Sequence, residues 1–203
     1  MDRLFAGIDP GELKGGIGII DYEGKFILAE RWNRKDPRAT YNILYKYKDM
    51  IEVIYIEDVN LPQTGNVANQ FSGSSNLMVN FGAWQGMFIA LDLKPVLVHP
   101  NTWQAAFNLH HWQAAQKKNP AAPGPLDRAR QLWPAAPLDF KMDDGKAVGL
   151  LLADFARRDH LHGIDRRIIR AQAQEKARVK KKAKRAAAKQ NRELGPTSDI
   201  GFV

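Results

Sequence analysis

The sequence predicts an α/β fold in which a mixed sheet is flanked by helices. Three features point there. Three short apolar runs follow one another at the N-terminus, broken only by Gly- and Asp-bearing bends. A β-branched run, "EVIYIED", is bounded by polar residues, as a buried strand is. Beyond it, helical and strand periodicities alternate. A meander followed by alternating units gives a mixed sheet with helices on both faces.

Residues 3 to 9, 15 to 20 and 25 to 31 read as the meander strands, with "DPG" and "DYEG" supplying the bends. "PRATYNILYKYKD" (37 to 49) opens on proline and predicts a helix. The strand at 52 to 58 is followed by a polar loop, "NLPQTGNVANQFSGSSN". Leu77, Phe81, Trp84, Phe88 and Leu91 then recur at spacings of four and three, one apolar helical face. "KPVLVHP" (94 to 100) predicts a fifth strand closed by Pro100, and "NTWQAAFNL" a short helix capped by Asn101 or Thr102. "HHWQAAQKKNPAAPGP" is expected to be a mobile segment, and "LDRARQLWP" a helix stopped by Pro134. Residues 143 to 159 form a helix with acids at its start and arginines at its end, as the macrodipole favours. A long Ala/Lys/Arg helix is expected from Ile164 to about Glu193.

The charge is unevenly spread. Of a net +8, residues 166 to 192 carry twelve Lys or Arg against one acid, Glu175, while the rest holds 18 basic and 21 acidic groups. Such a tail suits a polyanion such as nucleic acid. The division expected is a globular domain over 1–160 and a basic helical extension over 161–203. With no cysteine, any metal falls to carboxylate, His or water. No stretch approaches the ~18 apolar residues of a membrane span, and "MDRLF" lacks the start of a signal peptide. A cytoplasmic location is expected.

Asp9 ends the first strand and Glu57 the fourth. Strand C-termini are where open α/β sheets place their ligands. The pair Asp143 and Asp144 opens a helix and can bring a third acid to the same edge. Convergent carboxylates suit Mg²⁺ or Mn²⁺, and two such ions suit in-line displacement at phosphorus. The alternatives remain open at this point: Asp before Pro-Gly is a common turn former, and paired acids at a helix start are common caps. Glu57 is the sharpest clue, because an acid directly after "VIYI" needs a partner or a cation.

"GIDPGELKGGIGIID", "VIYIEDV", "FGAWQGMFIAL", "PVLVHPNTWQ" and "DRARQLWPAAPLDFKMDDGKAVGLLLADFARR" follow in one order. The set resembles the RuvC Holliday-junction resolvases, in particular the RuvC-like endonucleases of phages and prophages, over residues 3 to 159. The resemblance implies an RNase H-like mixed five-stranded sheet flanked by helices, here with a basic C-terminal helical tail. It also implies Mg²⁺-dependent (or Mn²⁺-dependent) nicking of four-way or other branched DNA by a homodimer, with no small-molecule cofactor. The catalytic and metal-binding acids it implies are Asp9, Glu57, Asp143 and Asp144. The family's further acid, one helical turn on, has no counterpart, since Val148 and Gly149 stand there.

Contacts to DNA are expected from Phe71 in the polar loop, from Lys117 and Lys118, and from Lys180, Lys181, Lys182, Lys184 and Arg185 in the tail. The face of helix 76 to 91 opposite its apolar stripe is a candidate dimer interface. Two other readings share the scaffold: a catalytically impaired junction-binding protein, and an RNase H-like nuclease for another nucleic-acid structure. An actin-like kinase domain is disfavoured by length and by the lack of a second Gly-rich phosphate loop.

Overall fold

The computed structural model describes residues 3–11, 15–58, 67–109 and 112–163, with side chains from Leu77 onward in the helix that begins at Val67. They belong to the first of two units into which the chain divides, Met1–Ile164. The basic tail, with Lys180, Lys181, Lys182, Lys184 and Arg185, lies outside the described residues, as do His110 and His111.

The strands are β1 (Leu4–Asp9), β2 (Gly16–Asp21), β3 (Phe26–Arg31), β4 (Ile51–Glu57) and β5 (Val96–Val98). Their order across the sheet is β3-β2-β1-β4-β5. The meander pairs antiparallel, while β1–β4 and β4–β5 are parallel. This is the mixed five-stranded RNase H-like sheet.

The period-2 alternation of the strands sorts the side chains between two faces. Leu4, Ala6, Ile8, Ile17, Ile19, Ile54 and Ile56 share one apolar cluster with Leu44 of α1 (Pro37–Tyr47), with Trp84 and Phe88 of α2 (Val67–Ala90), and with Leu91 just beyond it. The intervening residues face α6 (Asp144–His162), which crosses β1, β2 and β4 on the opposite side. There Tyr55 meets the Phe155 ring, and its hydroxyl donates to Asp159.

Glycines set how closely α6 lies. Gly7 and Gly18 are cross-strand partners, and both face Gly149. A Cβ added at Gly7 would stand 2.1 Å from the Gly149 carbonyl oxygen, and one at Gly149 would stand 2.6 Å from the Gly18 nitrogen. Gly145, Gly149 and Ala153 recur every four residues, one stripe along the helix. Backbone therefore packs on backbone.

Several boundaries differ from expectation. α2 begins at Val67, so the second half of the expected polar loop is helical, and Phe71 lies on that helix. Ser, Asn and Gly are weak helix formers, but propensity is a weak prior that tertiary context overrides. Pro100 opens α3 (Pro100–Ala106) instead of closing a strand, fitting its preset φ at a first helical turn. The cap of α3 is His99, whose Nδ1 accepts from the Asn101 N–H at 3.2 Å. The segment expected to be mobile contains α4 (Trp112–Lys118), and α5 (Pro125–Leu132) follows. A single 3-10 turn, Lys141–Asp143, precedes α6.

The glycine contact predicts that Gly149→Ala destabilises the domain by about 1–3 kcal/mol through overpacking against backbone. Thermal unfolding should show a midpoint lower by several degrees. An unchanged midpoint would mean that the helix is free to lift.

Candidate active site

The strand register places the first two acids side by side. Ile8 pairs with Ile56 across the parallel β1–β4 ladder. One residue further, Asp9 and Glu57 end their strands on the face covered by α6. Asp144 is the first residue of that helix. All three acids line one cleft of about 490 Å³.

Each acid is held differently. Asp9 Oδ1 accepts the Gly11 N–H at 2.8 Å, an Asx turn that fixes the carboxylate against its own bend. Glu57 Oε1 accepts the Trp103 indole N–H at 2.9 Å. Burial first, then the Glu57 charge, and further the Asp144 charge push the Asp9 pKa up to about 8 against the pull of the Gly11 N–H. Glu57 is also raised by burial, which the Trp103 hydrogen bond only partly offsets. Carboxylates crowded in this way retain protons unless a cation neutralises them.

Asp143 does not join them. It is fully buried, with Oδ1 bound by Arg31 Nε at 2.9 Å, Arg31 Nη2 at 2.8 Å and Lys146 Nζ at 3.1 Å. Its Oδ2 accepts the Phe140 N–H at 2.9 Å. Burial raises its pKa, but the Phe140 N–H, Arg31 and Lys146 outweigh burial and hold it below the usual carboxylate range. Asp143 ties the start of α6 to β3.

The remaining walls are polar amides and aromatics. α3 contributes Asn101, Trp103 and Gln104, α4 contributes Trp112 and Gln113, and Val148 stands beside Asp144 one helical turn along α6. Trp103 reads from sequence as core, and it is buried, yet its N–H serves the site. The amides Asn101, Gln104 and Gln113 carried no signal beyond following the proline that opens α3 or lying on α4. Lys117 and Lys118 are exposed at the end of α4, about 7 Å along the helix from Gln113.

Among the described residues no three acid or histidine side chains form a ready metal cage. Mg²⁺ needs no such cage, because it keeps several waters and binds through one or two carboxylates together with substrate phosphates. Asp9, Glu57 and Asp144 supply hard oxygens on one cleft, so the residues fit such an ion.

Solved structures resemble this fold. A Thermus thermophilus RuvC structure matches with a TM-score of 0.50 and 18% identity, covering 76% of this chain and 96% of that one. T. thermophilus RuvC in complex with Holliday junction substrate matches with a TM-score of 0.52 and 15% identity, covering 76% and 95%. This chain has the RuvC fold. Neither a family model nor a curated protein matches the sequence. At this identity the likeness to RuvC carries the fold alone.

A pH dependence follows from Asp9. Its folded pKa of about 8 lies above an unfolded value near ~4, so protonation favours the folded state. That contribution is whole below pH ~4 and is lost as pH rises through about 8. Without divalent cations, the melting temperature should fall between about pH 5 and pH 8. Asp9→Asn, neutral throughout, should show a shallower fall and melt above the wild type at the alkaline end.

Proposed function

We propose that the protein is a structure-specific endonuclease, dependent on Mg²⁺ or Mn²⁺, that nicks Holliday junctions or other branched DNA. Its place would be recombination or phage DNA processing, in the cytoplasm of a bacterial or phage-infected cell. The observation that carries this reading is the convergence of Asp9, Glu57 and Asp144 on one cleft, with Asp9 pushed up to about 8. No helix among the described residues is long and apolar enough to cross a membrane.

Asp9, Glu57 and Asp144 would hold the cation, which supplies an activated water and neutralises the leaving oxygen. The Gly11 and Trp103 N–H groups keep one oxygen of Asp9 and of Glu57 oriented. Asn101, Gln104 and Gln113 offer amide donors to the phosphates that flank the cut. Lys117 and Lys118 would meet a DNA arm beyond α4, and the tail would supply salt-sensitive attraction. Phe71 stays a candidate wedge at the branch, now carried by a helix. Asp143 acts from behind, by fixing the helix that presents Asp144.

The test is cleavage of a synthetic four-way junction with Mg²⁺ or Mn²⁺. Wild type should give symmetric paired nicks. Asp9→Asn should lose more than the ~100-fold that removing a mere supporting partner costs. Val148 favours one other reading, since it leaves the cleft a carboxylate short of the family pattern: a junction-binding protein with impaired catalysis. Junction binding by wild type without nicks, with either metal, would decide for that reading.

A symmetric junction calls for two sites, hence a homodimer. The outer face of α2 supports one. The 24-residue helix carries no charged side chain; Val79 and Ile89 are exposed, and open space lies above Gly82 and Gly86. Close approach of two copies along this face would bury the exposed residues. Val79→Asp with Ile89→Asp should convert the dimer to monomer in light scattering and abolish paired nicking. A monomeric wild type would exclude the arrangement.

A further inference from the structure

The cleft is acidic, and the described body is not otherwise rich in cations. Over residues 1 to 163, 18 basic groups balance 18 acidic ones. One stretch departs sharply from that balance: residues 31 to 49 hold six basic and two acidic groups. The excess begins beside the acids. Asp9 pairs with Gly16, and Gly16 pairs with Arg31, so all three stand in one row across the sheet. Two strand spacings, about 9–10 Å, separate Asp9 from the end of β3.

Arg31 is committed to Asp143. Beyond Arg34, Lys35 lies exposed just before α1 and Arg38 lies exposed in its first turn. From there Arg38, Tyr41, Tyr45 and Lys48 share one helical face by their spacing. The Tyr41 and Tyr45 rings are stacked, with centroids 6.2 Å apart and planes 19° apart, and Tyr45 is 58% exposed. Lys48 lies 6.0 Å over the Tyr45 ring. Its partner Asp49 is a surface residue, and such pairs are weak enough to be exchanged for a phosphate.

We propose that Lys35, Arg38, Tyr41, Tyr45 and Lys48 form a track for an unpaired DNA strand leaving the acid cleft over β3 and along α1. The cations neutralise successive phosphates, and the paired tyrosines offer a platform on which a base stacks, the combination that binds single strands without sequence preference. A duplex, with its bases stacked inside, would use the cations alone. The proposal rests on the nuclease reading, and it gives the cleft a polarity: one strand exits on the β3 side.

The experiment uses the full chain carrying Asp9→Asn, so that DNA is held without being cut. A single-stranded oligonucleotide bearing 5-iododeoxyuridine, irradiated in the complex, should cross-link to the tryptic peptide 39 to 46, which contains both tyrosines. Tyr45→Ala should remove that cross-link and weaken single-strand binding about 5- to 10-fold, within the range of one lost base stack. It should leave a duplex of equal length within twofold. Arg38→Ala with Lys48→Ala should lower the salt dependence of single-strand binding by about 1.4 in slope, two contacts at ~0.7 each. Cross-links confined to other peptides, with unchanged affinity and slope, would overturn the track. Equal losses for duplex and single strand would overturn the stacking role. Junction nicking by the protein without Asp9→Asn is scored separately, so a failed track and a failed nuclease reading are distinguishable.

Discussion

The site depends on how closely α6 lies on the sheet. A helix packed on a sheet through ordinary side chains stands about 10 Å from it, as sheets do from one another. Here Gly7, Gly18 and Gly149 remove the intervening side chains, and backbone meets backbone. That approach brings the first residue of α6 down to the strand ends, where Asp144 joins Asp9 and Glu57 in one cleft. The ion pairs of Asp143 with Arg31 and Lys146 fix the same helix end laterally. Closeness and lateral position are thus set by different residues, and none of those residues lines the cleft.

The two adjacent acids show how environment divides one motif into two roles. Asp143 has gathered cations and a backbone donor, so it remains ionised and spent. Asp144, one residue on, faces the cleft with Asp9 and Glu57. Their crowding costs energy in the folded protein, a cost that a divalent cation would relieve. Such strain between like charges is typical of sites kept for function. The indole of Trp103 enters the same balance, since its N–H opposes part of the burial penalty on Glu57.

Much of this was legible because strands impose a strict period. An acid that ends "LFAGID" and another that ends "VIYIE" must fall at strand ends, and a parallel pairing sets them side by side. The helix 37 to 47 and the apolar stripe of α2 follow equally from spacing. What could not be read was which of two neighbouring aspartates faces the cleft. That depends on Arg31, 112 residues away in sequence. Trp103 was concealed for a similar reason, because a buried indole in an apolar pattern looks the same whether or not its N–H meets Glu57. The start of α2 and the existence of α4 were missed because polar, proline-flanked composition reads as loop, while tertiary context decides otherwise. The glycine stripe of α6 was printed in the sequence at four-residue spacing, but its meaning required Gly7 and Gly18 opposite it.

An acid-lined cleft on a body with no net charge repels the phosphates it is read as cutting. Two remedies act at different ranges. A cation bound among Asp9, Glu57 and Asp144 would reverse the repulsion at contact distance, where the surroundings screen little. The basic stretch from Arg31 to Lys48 and the tail act over a Debye length of about 8–10 Å, and salt weakens them. Because the first term is local and the second is long-ranged, a metal would set whether a phosphate can settle at the acids, while salt would set how often DNA arrives. The cations at the start of α1 are the more informative of the long-ranged set, since α1 follows β3, whose last residue stands two strands from Asp9 in the register. Charge that begins at a sheet edge would direct a strand as well as attract it.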